Sequence, residues 1–188
     1  MTADTAFISD LKVRREQARK HMMQGAVTED YTSNRESILQ LLNEALATEL
    51  ICVLRYKVHY YTANGRGAKL AAAEFLEHAA EEQAHADKLA ERIAQLGGDP
   101  DFNPATLSLR AHSEYHSGGD TLEMLMEDLI AERIAISSYR EMIAYVGDQD
   151  PTTRRILEDL LAQEEEHADD LVDLLEQLED TEVVTLTQ

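Results

Sequence analysis

The chain has 188 residues, 44% of them hydrophobic, with 37 acidic and 17 basic side chains and a formal net charge of -20 at pH 7. The length allows one domain with a sizeable core, and the acidity disfavours nucleic acid as the main partner because phosphate contacts require clustered lysine and arginine. The single cysteine, Cys52, excludes an internal disulfide framework and a metal site built from four thiolates.

The N-terminal region is predicted to be a helical arm followed by a linker, residues 1–32. A short amphipathic segment runs from about Phe7 to Met23, and residues 25–32 separate it from the first long helix. This arm carries a local basic run, which keeps DNA as a secondary partner to be weighed against the overall acidity. The run consists of Lys12, Arg14, Arg15, Arg19 and Lys20.

The next segment predicts a pair of antiparallel helices. Ser33 and Glu36 form a capping-box pair at the start of the first long helix, in which apolar residues recur every three or four positions as far as about Thr62. The turn at residues 64–67 is short, so the second long helix, over about residues 68–96, returns beside the first. Two glycines and a proline end it.

A second pair of helices follows a long polar connection, residues 99–119, that shows no clear periodicity. Asp120 is predicted to cap the third long helix, which ends near Gly147. Asp150 is predicted to cap the fourth, with a proline at its first helical position. This last helix extends to about residue 178.

These elements predict an all-α fold, an antiparallel four-helix bundle with an extra N-terminal helix. About 20 residues in partly extended form can travel the length of a bundle, so the connection between the second and third long helices is predicted to be a crossover. The bundle is expected to occupy residues 33–180, followed by a short C-terminal tail at residues 181–188.

A six-residue pattern, Glu-x-x-His-Ala-Asp, occurs twice, at residues 82–87 and 164–169. Each copy follows a lone glutamate on an apolar helical stripe, Glu49 by 33 residues and Glu132 by 32. A spacing of three places the glutamate and the histidine of each copy on one helix face. The repeat indicates two similar hairpins related by a pseudo-two-fold axis, on which a two-metal site would lie.

The motif residues predict a buried centre for two metal ions. Four carboxylates in one apolar core would repel one another and lose their hydration, at a cost of several kcal/mol each, and two divalent cations would supply the missing positive charge. Oxygen ligands with one imidazole per metal suit iron or manganese, and oxidation of ferrous iron is the expected chemistry. The predicted metal ligands are Glu49, Glu82, His85, Glu132, Glu164 and His167.

Neighbouring residues leave alternatives open. Glu81 could replace Glu82 as a ligand at a spacing of four, but we prefer Glu82 because only the position three residues before the histidine is acidic in both copies. Tyr56 and Tyr139 each follow the lone glutamate of their helix by seven residues, which is compatible with core packing and with a redox or hydrogen-bonding role. Four other histidines are expected at the surface or in the crossover: His59, His78, His112 and His116.

These motifs resemble the ferritin-like superfamily, and specifically its bacterioferritin branch, over about residues 34–178. In that branch two helical glutamates and two Glu-x-x-His motifs form a di-iron ferroxidase centre, which implies iron at all six ligand positions. Tyr56 matches a family tyrosine beside the centre, which implies a place among the catalytic residues. The resemblance implies a homo-oligomeric shell that oxidises ferrous iron with dioxygen or hydrogen peroxide and stores the ferric product.

Three features depart from the bacterioferritin pattern. Gln83 stands where bacterioferritins have a haem-binding methionine, so haem is not expected. Too few residues follow the fourth long helix to form the fifth helix that lines the channels of 24-subunit shells. The basic N-terminal helix is similar to the arms of the DNA-protecting mini-ferritins (Dps), which form 12-subunit shells. We therefore expect a 12-subunit shell rather than one of 24.

Two other functions are compatible with parts of this sequence. A di-metal peroxidase or catalase-like enzyme would use the same centre without storing iron, and a Dps-like nucleoid-protecting protein would bind DNA through the basic arm. The N-terminus lacks the basic and then apolar segments of a secretory signal, and no stretch approaches the roughly 20 apolar residues that span a bilayer. We therefore expect a cytoplasmic protein without a membrane partner.

Overall fold

The computed structural model describes residues 11–65 and 67–186, with side chains as far as residue 178. Every regular element in these ranges is helical. In chain order the elements are α1 (Leu11–Lys20), a 3-10 turn (Met22–Gln24), α2 (Arg35–Thr62), α3 (Ala68–Gln95), α4 (Leu107–Arg110), α5 (Thr121–Val146) and α6 (Pro151–Leu186).

The four long helices form the predicted bundle. α2 packs against α3, and α5 packs against α6, so that each short turn joins two neighbouring helices. The crossover between α3 and α5 passes along α2, against which the short α4 lies. The all-α fold, the two hairpins and the crossover are therefore confirmed. The polar sequence of the crossover did not predict α4.

Among the described residues, a small apolar cluster joins α4 to α2, and two large clusters form the core of the bundle. One includes Leu46 and Leu89, and the other includes Phe75, Leu125 and Leu171. Burying a side chain of this size contributes about 1.5–3 kcal/mol. Between the two clusters each long helix places polar side chains on its buried face, and this polar layer contains the predicted metal ligands.

The start of α2 differs from the prediction, because Asn34 rather than Ser33 is the N-cap. The Asn34 backbone is extended (φ -69°, ψ 94°), and its side chain accepts a hydrogen bond from the Ser37 amide at 3.3 Å. Asparagine is as favourable an N-cap as serine, so the helix begins one residue later than the capping-box pattern predicted. At α5 the predicted cap is confirmed, since Asp120 accepts from the Glu123 amide at 3.0 Å.

The start of α6 is a buried polar junction centred on Asp150. Its carboxylate accepts hydrogen bonds from the Thr153 amide (2.9 Å) and hydroxyl (2.6 Å), from Arg92 of α3 (2.8 Å) and from Tyr31 of the linker (2.8 Å). Burial raises the pKa of Asp150, but the hydrogen bonds from Thr153, Tyr31 and Arg92 outweigh it and hold that pKa below its usual value. The predicted cap is confirmed, and it also joins three segments of the chain.

We expect Asp150→Asn to lower the free energy of unfolding by about 1–3 kcal/mol at neutral pH, because a buried contact between two charges becomes a contact with a neutral amide. The lowered pKa of Asp150 means that its stabilisation is complete above the ordinary value of 3.8 and is lost as the pH falls below it. Variant and wild type should therefore converge in acid. Urea unfolding at neutral pH and at successively lower pH measures the difference.

Asp148→Asn is the matched control for this prediction, since Asp148 lies two residues earlier with its side chain 96% exposed. It should leave stability unchanged at every pH. An equal loss in the two variants would show that the junction does not depend on the buried carboxylate.

At the N-terminal end, part of the predicted arm is not described by the structure, and at the C-terminal end the last helix is longer than predicted. All residues of α1 are exposed, and the part of the predicted arm before Leu11 lies outside the described residues. α6 continues to Leu186, past the predicted end at residue 178, because residues 179–186 contain no glycine or proline to stop a helix. The domain boundaries after residues 32 and 180 stay predictions.

One helix is more apolar than the sequence analysis allowed. An 18-residue window of α2 has a mean hydropathy of 1.5, so by length and composition this helix could cross a membrane. However, 56% of that window is buried inside the bundle, and the helix carries the buried charged residues Glu49 and Arg55. A helix in the core of a bundle can be as long and as apolar as a membrane-spanning helix, and the burial of α2 shows that it is a core helix.

Candidate metal centre

The six predicted ligands lie together in the polar layer between the two apolar clusters. Helical periodicity continues the apolar stripe of each long helix above and below its ligand, so the stripe that builds the core also turns the ligand inward. Each residue is at most 3% exposed: Glu49, Glu82, His85, Glu132, Glu164 and His167.

One half of the layer is a group of four residues around His85. The Nδ1 atom of His85 lies 3.0 Å from Glu164 Oε1, 3.3 Å from Glu49 Oε2 and 3.4 Å from Glu82 Oε2. The ligand atoms of these four residues all lie within 4.8 Å of one another. All four are therefore close enough to contact a single ion.

The other half of the layer is a matching group around His167. Its Nδ1 atom lies 3.4 Å from Glu82 Oε1, 3.4 Å from Glu164 Oε2 and 4.0 Å from Glu132 Oε2. These four residues again have ligand atoms within 4.8 Å of one another. Because Glu82 and Glu164 belong to both groups, they could contact two ions, whereas Glu49 and Glu132 could each contact one.

Glu81, the alternative to Glu82, belongs to neither of these four-residue groups. Its Oε2 atom lies 2.9 Å from Nε2 of His167, the ring nitrogen that faces away from the bridging carboxylates. Such a contact orients the ring and turns its Nδ1 towards the layer. Glu82 faces the centre, and Glu81 supports a histidine from outside it.

The two tyrosines contact the glutamates that each belong to one group, Glu132 and Glu49. Tyr56 donates a hydrogen bond to Glu132 Oε1, and Tyr139 donates one to Glu49 Oε1. Each tyrosine therefore reaches from its own hairpin to the lone glutamate of the other. These contacts give both residues a hydrogen-bonding role in addition to core packing, because they orient the two carboxylates.

The layer contains buried polar atoms that have no hydrogen-bond partner among the described residues, although buried polar atoms ordinarily have one. Such a concentration of oxygen and nitrogen lone pairs suits cations. Four carboxylates and two imidazoles without a thiolate are a ligand set for iron or manganese. The atoms are both oxygens of Glu82, Glu132 Oε2, Glu164 Oε1 and His167 Nδ1.

Burial and mutual repulsion divide the four carboxyl groups into two kinds. Burial and the charge of Glu82 raise the pKa of Glu49 to about 8, and burial with the charges of Glu82 and Glu164 raises the pKa of Glu132 well above its usual range. Burial and neighbouring charge also act to raise the pKa of both bridging glutamates, but close contacts outweigh them and lower it, from Glu49 and the two histidines for Glu82 and from the two histidines for Glu164.

Contacts with the carboxylates also shift the pKa values of the two histidines. Burial lowers the pKa of His85 and of His167, but close contacts with the glutamates outweigh burial, raising the pKa of His85 well above its usual range and that of His167 to about 11. Metal ions bind carboxylates and neutral imidazoles, so metal binding at this layer would be coupled to the release of protons from its ligands.

Two histidines predicted to lie at the surface are buried. His78 is 1% exposed and its ring stacks on that of His167 at 4.1 Å; burial and the charge of His167 lower its pKa to about 3. His59 is 0% exposed, and its Nδ1 lies 2.8 Å from Asp128 Oδ2. Helical spacing could have revealed both, since His78 lies four residues before Glu82 on the same stripe, and His59 lies three after a buried tyrosine.

A model of the ferritin-like domain family matches residues 39–181 of this chain, a range that contains all six predicted ligands. The bacterioferritin of Brucella melitensis is 35% identical over 135 residues, which cover 70% of this chain and 78% of that protein. A nutrient stress-induced DNA-binding protein of Synechococcus is 31% identical over 140 residues, which cover 73% of this chain and 80% of that protein.

A solved structure extends the likeness to three dimensions. The dodecameric thioferritin of Bacteroides fragilis, described as bacterioferritin-related, has a TM-score of 0.77 and 33% sequence identity to this chain. The superposition covers 80% of this chain and 91% of that chain. The likeness therefore extends over nearly the whole length of the thioferritin subunit.

Proposed function

Because this chain belongs to the ferritin-like domain family, we propose that it oxidises ferrous iron at the two-metal centre and stores the ferric product inside a shell of identical subunits. The observation that carries this proposal is the pair of four-residue ligand groups that share Glu82 and Glu164. Two ferrous ions held side by side would supply the two electrons that reduce dioxygen to peroxide or peroxide to water. Iron rather than manganese, and a cytoplasmic location, are parts of the same proposal.

The residues of the chain contribute charge, orientation and exclusion of water. The four carboxylates match the charge of two divalent ions, and protons held by the ligands would leave the layer as the ions enter. Tyr56 and Tyr139 hold Glu132 and Glu49 in place across the bundle. The apolar clusters on either side of the layer close the bundle interior to water along its axis.

We propose assembly into a 12-subunit shell. Large apolar side chains on the outer faces of α2 and α5 are about half exposed, including Leu54, Met126 and Ile130, and surfaces of this kind mark contacts between proteins. The dodecameric state named for the Bacteroides fragilis relative, at 33% identity, supports twelve subunits over twenty-four.

The two alternative functions would use different parts of the molecule. A peroxidase or catalase-like enzyme would need the same ligands but no shell. A DNA-binding role would use the basic residues of exposed α1, as the name of the Synechococcus relative suggests for that protein, but it would have to overcome a net charge of -20. DNA binding is therefore not part of the proposal.

Iron loading and native mass together test the proposed function. Purified protein given ferrous iron in air or with peroxide should oxidise it faster than buffer and retain far more than two ions per subunit. Its native mass should be that of twelve 21.1 kDa chains, about 250 kDa. Peroxide turnover without retained iron would support the peroxidase alternative, and a monomer or dimer without iron oxidation would refute the proposal.

A further inference from the structure

A separate group of potential cation ligands lies outside the two-metal centre, at the surface between α3 and α6. It consists of Glu74, His78 and Asp170, whose ligand atoms lie within 4.8 Å of one another. His78 Nε2 is 3.2 Å from Glu74 Oε1 and 3.7 Å from Asp170 Oδ2. The two acidic side chains are 26% and 47% exposed, so solvent reaches this group from outside.

The imidazole of His78 is oriented with an unpaired nitrogen towards the two carboxylates. Its ring is 1% exposed, and Nε2 has no hydrogen-bond partner among the described residues. Nδ1 lies 3.2 Å from the hydroxyl of Tyr56, whose only proton is donated to Glu132. Nε2 is therefore a buried nitrogen without a hydrogen-bond partner that faces two carboxylates, and a cation between them would satisfy all three groups.

His78 also connects this outer group to the centre. Its ring stacks on the ring of His167, with the planes 21° apart. The ligand atoms of His78, Glu81 and His167 lie within 4.8 Å of one another, so an intermediate group overlaps the outer one and the centre. Overlapping groups of potential cation ligands therefore connect the solvent-exposed outer group to His167.

The three positions related to the outer group by the pseudo-two-fold axis carry no potential cation ligands. Alignment of the two Glu-x-x-His motifs makes Ile156, Leu160 and Lys88 the counterparts of the three outer residues. Leu160 is fully buried in the core, and Lys88 brings a positive charge and donates to Gln163 at 3.1 Å. The duplication is therefore broken at these positions, and the ligands for an approaching cation lie beside His167.

We propose that Glu74, His78 and Asp170 form a third divalent-cation site, through which ferrous ions pass between the surface of the bundle and the His167 half of the centre. The binding of a cation stands on the geometry of the three residues, whereas the transfer of iron rests on the proposed function. Mixed carboxylate and imidazole ligands suit ferrous iron and cobaltous ions alike. Two of the three ligands are partly exposed, which suits a site that releases its ion.

Anomalous diffraction from crystals soaked in Co²⁺ tests the binding. The wild type should show three peaks per subunit, two among the six ligands of the centre and one between the three outer residues. Asp170→Asn should remove the third peak alone, whereas Asp169→Asn, at the adjacent exposed position of α6, should keep all three. An occupied centre with no third peak would overturn the proposal. An empty centre with an occupied third site would contradict the proposed function and still support the cation site.

The rate of iron oxidation tests the transfer. At less than one ferrous ion per centre, Asp170→Asn should slow the initial oxidation about three- to tenfold, as expected when a charged approach to a site is weakened, while the centre still shows both Co²⁺ peaks. Asp169→Asn should keep the wild-type rate. A third peak in the wild type combined with an unchanged rate in Asp170→Asn would refute the transfer role.

Discussion

Glu164→Gln is expected to slow ferrous oxidation more than about 100-fold, since loss of even an outer partner of a metal ligand costs 10–100-fold. Glu164 belongs to both four-residue groups, so the substitution removes one charge and one ligand from each ion position. It should also abolish the rise in melting temperature that Co²⁺ produces by binding the folded protein. Stopped-flow oxidation and thermal unfolding with and without Co²⁺ measure the two effects.

Glu166→Gln is the matched control for this prediction. It makes the same chemical change two residues along α6, at an exposed position, and should retain the oxidation rate and the response to Co²⁺. A Glu164→Gln protein that oxidises iron at the rate of its control would show that the buried carboxylates are not the site of the reaction. The interpretation of the whole polar layer would then be wrong.

Asp128→Leu is expected to lower the free energy of unfolding by about 3–5 kcal/mol, the usual cost of leaving one member of a buried ion pair alone. Asp128 Oδ1 accepts from Arg55 Nε at 2.8 Å, and its Oδ2 lies 2.8 Å from His59 Nδ1. Asp128 and Arg55 are at most 1% exposed. The substitution would leave the guanidinium of Arg55 buried without a counterion.

A double-mutant cycle separates the pair from its surroundings. Adding Arg55→Met to Asp128→Leu should recover much of the lost stability, because an apolar pair of similar volume replaces the buried charges. Urea unfolding gives the free energies of the wild type, the two single variants and the double variant. Additive losses would mean that Arg55 and Asp128 are not energetically coupled.

A surface pair provides the comparison for this buried one. Arg154 and Glu158 lie 2.7 Å apart on the exposed face of α6, four residues from each other. Glu158→Leu should leave the unfolding midpoint almost unchanged, since solvent screens exposed pairs. The contrast would show that burial, rather than the presence of an ion pair, makes Asp128 important.

Arg55, the partner of Asp128, also contacts the crossover between α3 and α5. The sequence of this crossover shows no periodicity. Arg55 Nη1 donates to the carbonyl of Glu114 at 3.0 Å, and Arg110 donates to the carbonyl of Asn43 at 2.8 Å. The crossover is thus held along α2 by separate hydrogen bonds and by Leu107, which packs against Ala47 and Ile51. Contacts of this kind leave no repeated pattern that a sequence analysis could detect.

The sequence by itself determined the bundle and the position of its polar layer. The period of a helix decides which side chains share a face, so the spacing of Glu49 from its apolar neighbours and the three-residue spacing of Glu82 and His85 were sufficient to predict buried ligands. The repeat of the motif predicted the pseudo-symmetry of the layer. These are local relations within one helix, and no knowledge of the neighbouring helices was needed.

Only the tertiary structure decided which helices meet at each level of the bundle. It paired Tyr56 with Glu132 across two hairpins and placed His78 between the outer carboxylates and His167. It also chose Asn34 over its neighbour as the cap of α2. Each outcome depends on the axial offset and rotation of one helix against another, and the packing of the whole core sets these quantities rather than any short stretch of sequence.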